Sequence, residues 1–135
     1  MANSILIVGA NGFVGSHLTR ELVRSGCAVT GMGMPMPVDL LSDLRGTVRM
    51  EQGSAEIASE VEAALDASKA DVVVWSAGHN ANASGLMATG ESEPSKALAV
   101  NATGLFNVLN AAQKRGIRRA VITGSLAVFG PASTY

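Results

Sequence analysis

The sequence predicts an α/β domain: a doubly wound parallel sheet in three layers, with helices on both faces. Two observations carry the prediction. Five short runs of apolar, mostly branched residues suit strands buried on both faces. Between most of them lie longer stretches whose apolar positions recur at helical spacing. Strands alternating with helices form right-handed βαβ units. The expected strand order is 3-2-1-4-5. It puts a ligand crevice at the carboxyl ends of strands 1 and 4, where the winding direction reverses.

Residues 4–8, "SILIV", are the first strand, ended by Gly9. A helix follows, with Val14, Leu18 and Leu22 on its apolar stripe and Gly26 as a left-handed cap. "AVTGM" (28–32) and "TVRME" (47–51) read as strands 2 and 3. "AEIASEVEAALDA" (55–67) reads as a helix with Ile57, Val61, Ala64 and Leu65 on one face. "DVVVW" (71–75) is a fourth, buried strand, and 76–92, rich in Gly, Ala, Ser and Asn, reads as a loop. A long helix is expected from Glu93 to Arg115, with Pro94 in its first turn and Gly116 ending it. Its apolar face would be Leu98, Ala102, Leu105, Phe106 and Leu109. "RAVIT" (119–123) looks like a fifth buried strand.

The bulk numbers agree with one domain spanning 1–135. Apolar residues make up 47% and charged residues 16%, the balance of a chain that buries a core. Ten basic against eleven acidic residues leave a net charge of −1, with no basic footprint for nucleic acid or a membrane surface. Cys27 is the single cysteine, so no intrachain disulfide can form; opening strand 2, it reads as buried and inert. "MANSILIVGA" lacks the basic start and long apolar run of a signal peptide, and no stretch reaches membrane-spanning length. A cytoplasmic address is the expectation.

The glycine spacing between strand 1 and its helix is the strongest local signal. Residues 9–15, "GANGFVG", read G-x-x-G-x-x-G. Gly9 can make the tight turn out of the strand, Gly12 leaves room for a pyrophosphate at the backbone, and Gly15 lets the helix pack closely. Unpaired N–H groups at the helix start, with the dipole behind them, favour phosphate.

Four stretches together resemble the extended short-chain dehydrogenase/reductase family, the NAD(P)-dependent epimerase/dehydratase type. They are "ILIVGANGFVGSHL" (5–18), "DVVVWSAG" (71–78), "VNATGLFNVLNAA" (100–112) and "RRAVITGSLAVFG" (118–130). The resemblance implies a Rossmann-type sheet that binds NAD or NADP. Backbone groups of Gly9, Asn11, Gly12, Phe13 and Val14 would hold the pyrophosphate, with Gly15 closing the loop. Ala77 and Gly78 would line the ribose and nicotinamide side. Asn101 would sit beneath the active site, anchoring helix to sheet. Ser125 would be the catalytic hydroxyl that hydrogen-bonds the substrate oxygen.

Departures from the family pattern are informative. Members specific for NAD usually carry an acid at the end of strand 2; this chain has Gly33 there, and no Arg or Lys replaces it. Ser54 falls where the family often has an acid near the adenine. The adenosine end is therefore neutral, and the choice between NAD and NADP stays open. Met32, Met34 and Met36 can wall an adenine pocket. Spaced thioethers also suit Cu(I), but no Cys or His flanks them, so no metal is expected. His17 and His79 share no metal-ligand spacing. His17 belongs near the phosphate end of the first helix, and His79 reads as a solvated loop residue.

Family chemistry also needs a Tyr with a Lys four residues later, the Lys lowering the phenol's pKa so that it can act as acid and base. No Tyr-x-x-x-Lys occurs here, and Tyr135, the one tyrosine, is read as a loop residue rather than the start of that helix. The expectation is the N-terminal, cofactor-binding portion of a longer enzyme, inactive by itself, with apolar surface bare beside strand 5 and the 93–115 helix. The implied function is NAD(P)-dependent oxidation, epimerisation or dehydration at a hydroxyl or keto carbon of a small-molecule substrate such as a nucleotide-sugar, in an assembly of identical chains. The rival is a dinucleotide-binding sensor without catalysis on the same fold. Ser125 favours the enzyme, and Gly33 and the missing Tyr-Lys pair favour the sensor. A flavodoxin-like or receiver module is disfavoured by the glycine spacing.

Overall fold

The computed structural model describes residues 3–81, 84–125 and 129–130. Five parallel strands form one sheet: β1 (Ser4–Val8), β2 (Ala28–Gly33), β3 (Arg49–Gln52), β4 (Val72–Trp75) and β5 (Arg119–Ile122). Their order is β3-β2-β1-β4-β5, as the alternation of elements predicts. The register runs Ile5–Val29 and Val8–Met32 on one side of β1, and Ile5–Val72 and Val8–Trp75 on the other. The carboxyl ends of β1, β2 and β4 therefore finish level, which makes one rim for a ligand.

Side-chain alternation divides the core in two. Leu6, Val8, Val73 and Trp75 point to the face covered by α2 (Ala58–Ser68) and α5 (Leu105–Lys114). Ile5, Ile7, Val72 and Val74 point to the other face, covered by α1 (Phe13–Arg24) through Leu18, Leu22 and Val23. The first strand, fed from both sides, is almost wholly sealed, and Leu6 and Ile7 have no exposure. Gly26 and Gly116 take left-handed conformations after α1 and α5, as their positions predict.

Several expectations are corrected. The 76–92 segment is not all loop: α3 spans Leu86–Ser92, with Thr89 buried beneath it. The long helix is not uniform. It runs as α4 (Pro94–Leu98), a π-helical stretch (Ala99–Gly104) and α5. Of the expected apolar face Leu105 does pack against the core, but Leu98 and Phe106 are both 65% exposed and Ala102 and Leu109 are exposed too. Its buried residues are Ala97, Gly104, Val108, Ala111 and Ala112, and Leu105 packs beside the last three on the core. The cause is proximity. A Cβ on Gly104 would stand 3.1 Å from both the Trp75 ring and the Ala55 methyl, so the contact stripe must be small.

The same rule governs α1, where Gly15, Ser16 and Thr19 are buried and Val14 is exposed. Ile57 precedes α2 as its N-cap and is half exposed, so only Val61, Ala64 and Leu65 keep the expected face. Strand 5 is not buried. It is an edge strand with Val121 and Ile122 about half exposed. Cys27 is half-buried against the α1 side of the core. Among the described residues no helix is long and apolar enough to cross a membrane.

Candidate functional site

The loop that leaves β1 is held by backbone contacts that only glycine allows at two of its three positions. Gly9 has φ +87°, and a Cβ there would lie 2.6 Å from the Ala77 nitrogen. The exits of β1 and β4 are thus packed back to back. Its N–H donates to the Met32 carbonyl at 2.7 Å, which ties the loop to β2 as well. A Cβ on Gly15 would overlap the Gly9 carbonyl oxygen and lie 2.8 Å from its carbon.

Gly12 differs. It is the N-cap of α1, with an ordinary φ of −78°, and an added Cβ would meet only the Gly9 oxygen, at 3.3 Å. Protein packing alone does not demand glycine there. Beyond it the N–H groups of Phe13 and Val14 head the first turn of α1, where no carbonyl of the helix can reach them. That turn holds no acidic side chain to repel an anion. The Phe13 and Val14 side chains are exposed, and Phe13 meets His17 edge to face at 5.0 Å between ring centres, which puts His17 near this end of the helix.

At the end of β2 the Asn11 side chain crosses over Gly33 and donates through Nδ2 to the Met34 carbonyl. Beside it a hollow of about 250 Å³ opens between Asn11, Gly33, Met34, Met36, Met50 and Gln52. Met32 does not join this wall, because alternation along β2 turns its side chain into the core, where it is 1% exposed. Of the three methionines, Met34 and Met36 flank the hollow and Met32 supports it from below. Ser54, after β3, donates through its hydroxyl to Glu56 at 3.0 Å, and its N–H donates to Glu60 at 2.6 Å. Two carboxylates thus bracket a position that carries no acid of its own. Glu56 also pairs with Lys96 at 2.7 Å, and that ammonium first, helped by the Ser54 hydroxyl, holds its carboxyl below the usual range.

On the β4 side, Ala77 and Gly78 follow the strand after Ser76. The next residue anchors them: His79 donates its N–H to Asn101 Oδ1 at 3.0 Å, and its ring meets Glu93 at 2.7 Å. His79 is therefore a tethered residue, 22% exposed at the side chain, rather than a solvated one. Asn101 lies within the π-helical stretch, and its Oδ1 ties that helix to the loop after β4. Ser125 follows β5 two residues after Thr123, whose hydroxyl and N–H both bond the Trp75 carbonyl, and it is exposed at the same rim. Tyr135 lies outside the described residues. Sequence reasoning missed Glu93, Glu56 and Lys96. Glu93 stands before Pro94 as a helix cap would, but nothing local says which loop it meets.

A phosphate-ready helix start and a glycine turn at the exit of β1, with a hollow beside the exit of β2 in a 3-2-1-4-5 sheet, define a dinucleotide-binding α/β domain. Residues 5–134 match the model of the NAD dependent epimerase/dehydratase family, and the chain belongs to that family. It is 27% identical over 139 residues to UDP-glucose 4-epimerase 3 of Oryza sativa subsp. japonica, covering 94% of this chain and 35% of that protein. It is also 27% identical to the UDP-glucose 4-epimerase of Bos taurus, covering 96% and 39%. The chain thus spans 35–39% of the length of these curated relatives. Among solved structures it superposes on the Bordetella bronchiseptica enzyme WbmG in complex with NAD, with a TM-score of 0.81 at 26% identity, covering 98% of this chain and 41% of that one.

Proposed function

We propose that residues 1–135 form the dinucleotide-binding part of an NAD(P)-dependent enzyme acting on a hydroxyl or keto carbon of a nucleotide-sugar, as an epimerase or dehydratase. Gly12 is the observation that carries the reading. Gly9 and Gly15 are explained by the protein's own backbone, whereas the space in front of Gly12 is bounded by almost nothing of the protein. A glycine whose missing side chain would meet one carbonyl oxygen of the protein and otherwise open space fits a ligand that approaches the backbone. The neighbouring N–H groups and the helix dipole suit the charge of a pyrophosphate. The relatives described as UDP-glucose 4-epimerases, and WbmG with NAD and UDP bound, support the substrate class.

In this reading the backbone of Gly9, Asn11, Gly12, Phe13 and Val14 cradles the pyrophosphate. Ala77 and Gly78, held by the His79–Asn101 bond, line the nicotinamide side. The bound nicotinamide supplies hydride chemistry. Ser125 donates to the oxygen of the reacting carbon, stabilising the charge that gathers there. The acid/base phenol is a separate requirement that the described residues do not include.

The test is a fluorescence titration of the intact protein with NADH. Gly12→Leu should weaken binding at least about tenfold, that is about 1.4 kcal/mol, while leaving the melting temperature nearly unchanged. Equal affinity in the variant, or no binding by the wild type, would overturn the reading.

A further inference from the structure

The end of β2 carries an arrangement that dinucleotide binding alone does not explain. A site that discriminates between the two dinucleotides does so with charge: an acid for the ribose hydroxyls of NAD, or an Arg for the 2′-phosphate of NADP. Position 33 offers neither, and it cannot simply be given a side chain. A Cβ there would overlap Asn11 Oδ1 and lie 3.0 Å from its Cγ. The volume that a strand-end acid needs is already filled, from the glycine loop, by a carboxamide.

That carboxamide is oriented. Nδ2 donates to the Met34 carbonyl, so the amide is anchored on β2's exit and Oδ1 lies over the Gly33 Cα. The group presents an acceptor and one further N–H donor beside the hollow. Among the described residues lining the hollow, only Asp39 is charged. It is paired with Arg45, Nη2 to Oδ2, at 2.6 Å, and its other oxygen accepts the Leu41 N–H at 3.0 Å. The Arg45 guanidinium, then the Leu41 N–H, hold the Asp39 carboxyl below its usual range. The rim therefore offers an ion pair rather than a net charge.

We propose that Asn11 is the residue that reads the adenosine ribose, with a neutral carboxamide in place of an acid, and that this site takes NADP(H) as well as NAD(H). The inference rests on the dinucleotide reading above. A carboxylate accepts only, and its charge rejects a 2′-phosphate; a carboxamide accepts from a hydroxyl and donates to a phosphate oxygen. Selectivity would then be low because nothing at the rim repels either form.

The experiment titrates the intact protein with NADH and with NADPH, comparing the wild type, Asn11→Ala and the double variant Asn11→Ala/Gly33→Asp. The double variant is needed because an aspartate at 33 requires Asn11 to vacate its place. In the wild type the two dissociation constants should lie within about fivefold of each other, less than 1.4 kcal/mol. Asn11→Ala should weaken both by roughly three- to tenfold, the range of one hydrogen bond. The double variant should recover NADH and bind NADPH at least about tenfold more weakly than NADH. Asn11 is a half-buried loop residue, so its truncation tests the idea even if the double variant folds poorly. A wild type that prefers one dinucleotide by more than about a hundredfold, or an Asn11→Ala protein unchanged toward both, overturns the proposal. Those results leave the dinucleotide reading standing if Gly12→Leu weakens binding at least about tenfold. A wild type that binds neither dinucleotide overturns both.

Discussion

Strands β4 and β5 lie side by side in register, Val72 opposite Arg119 and Trp75 opposite Ile122, and both read as apolar strands. Their surroundings differ completely. Trp75 is 4% exposed and Ile122 46%. Each face of β4 has a cover: Val73 and Trp75 pack among Val61, Leu65 and Val108, and Val72 and Val74 join the cluster beneath α1. In β5 the successive residues Val121 and Ile122 point to opposite faces, and both are half bare. An apolar strand is thus not buried by composition. It is buried when helices cross both of its faces.

The comparison breaks most visibly at the register pair. Trp75→Ala should cost about 3–5 kcal/mol, because a large buried ring leaves a cavity against Gly104 and Ala55. Ile122→Ala, its partner across the ladder, should cost less than about 1 kcal/mol, since little area is lost from the core. Urea unfolding of the two variants measures both, and equal costs would show that β5 is covered in solution. A smaller effect contrasts the glycines of the phosphate loop. Gly15→Ala should destabilise by about 1–3 kcal/mol through its overlap with the Gly9 carbonyl. Gly12→Ala should melt close to the wild type, so that a Tm loss of similar size at both positions would erase the distinction between fold-required and ligand-facing glycine.

Smaller still is the response of the bare edge to charge. Ile122→Lys should leave the melting temperature nearly unchanged and reduce self-association measured by sedimentation, because a lysine on an edge strand discourages strand pairing. The slightest effect belongs to the surface ion pairs. The Arg115 guanidinium, 2.7 Å from Asp66, holds that carboxyl below its usual range. Its folded pKa is depressed, so the stabilisation is present above the unfolded value near 3.9 and is lost as pH falls through the lower, folded value. Asp66→Asn should accordingly melt slightly below the wild type at neutral pH, and the gap should narrow below about pH 4. A gap that widens in acid would reverse the sign.

Much of the site was legible because its signals are local. The "GANGFVG" loop names its own turn, cap and packing point, and Gly9, Gly12 and Gly15 stand where the spacing puts them. What was not legible depends on partners distant in sequence. Nothing near Asn11 says that it will lie over Gly33, and nothing near His79 says that Glu93 and Asn101 will hold it. Met32, read as a pocket wall with Met34 and Met36, proved to be core because it lies inside β2, on the face packed by helices, whereas Met34 and Met36 follow the strand's end.

By itself the sequence determined the five strands, their order and the glycine turn at the point where the winding reverses. Those follow from short-range steric preference, from short continuous apolar runs that suit strands buried on both faces, and from the handedness of the crossover. Only the tertiary structure decided which helix faces meet the sheet. Amphipathic spacing marks large apolar residues, but where the helix comes within contact of Trp75 it presents Gly104, Val108, Ala111 and Ala112, with Leu105 packed at the edge of the cluster. Leu98 and Phe106 fall on the helix side away from that contact and are 65% exposed. The distance between layers is a property of the packed whole, and no window of the chain contains it.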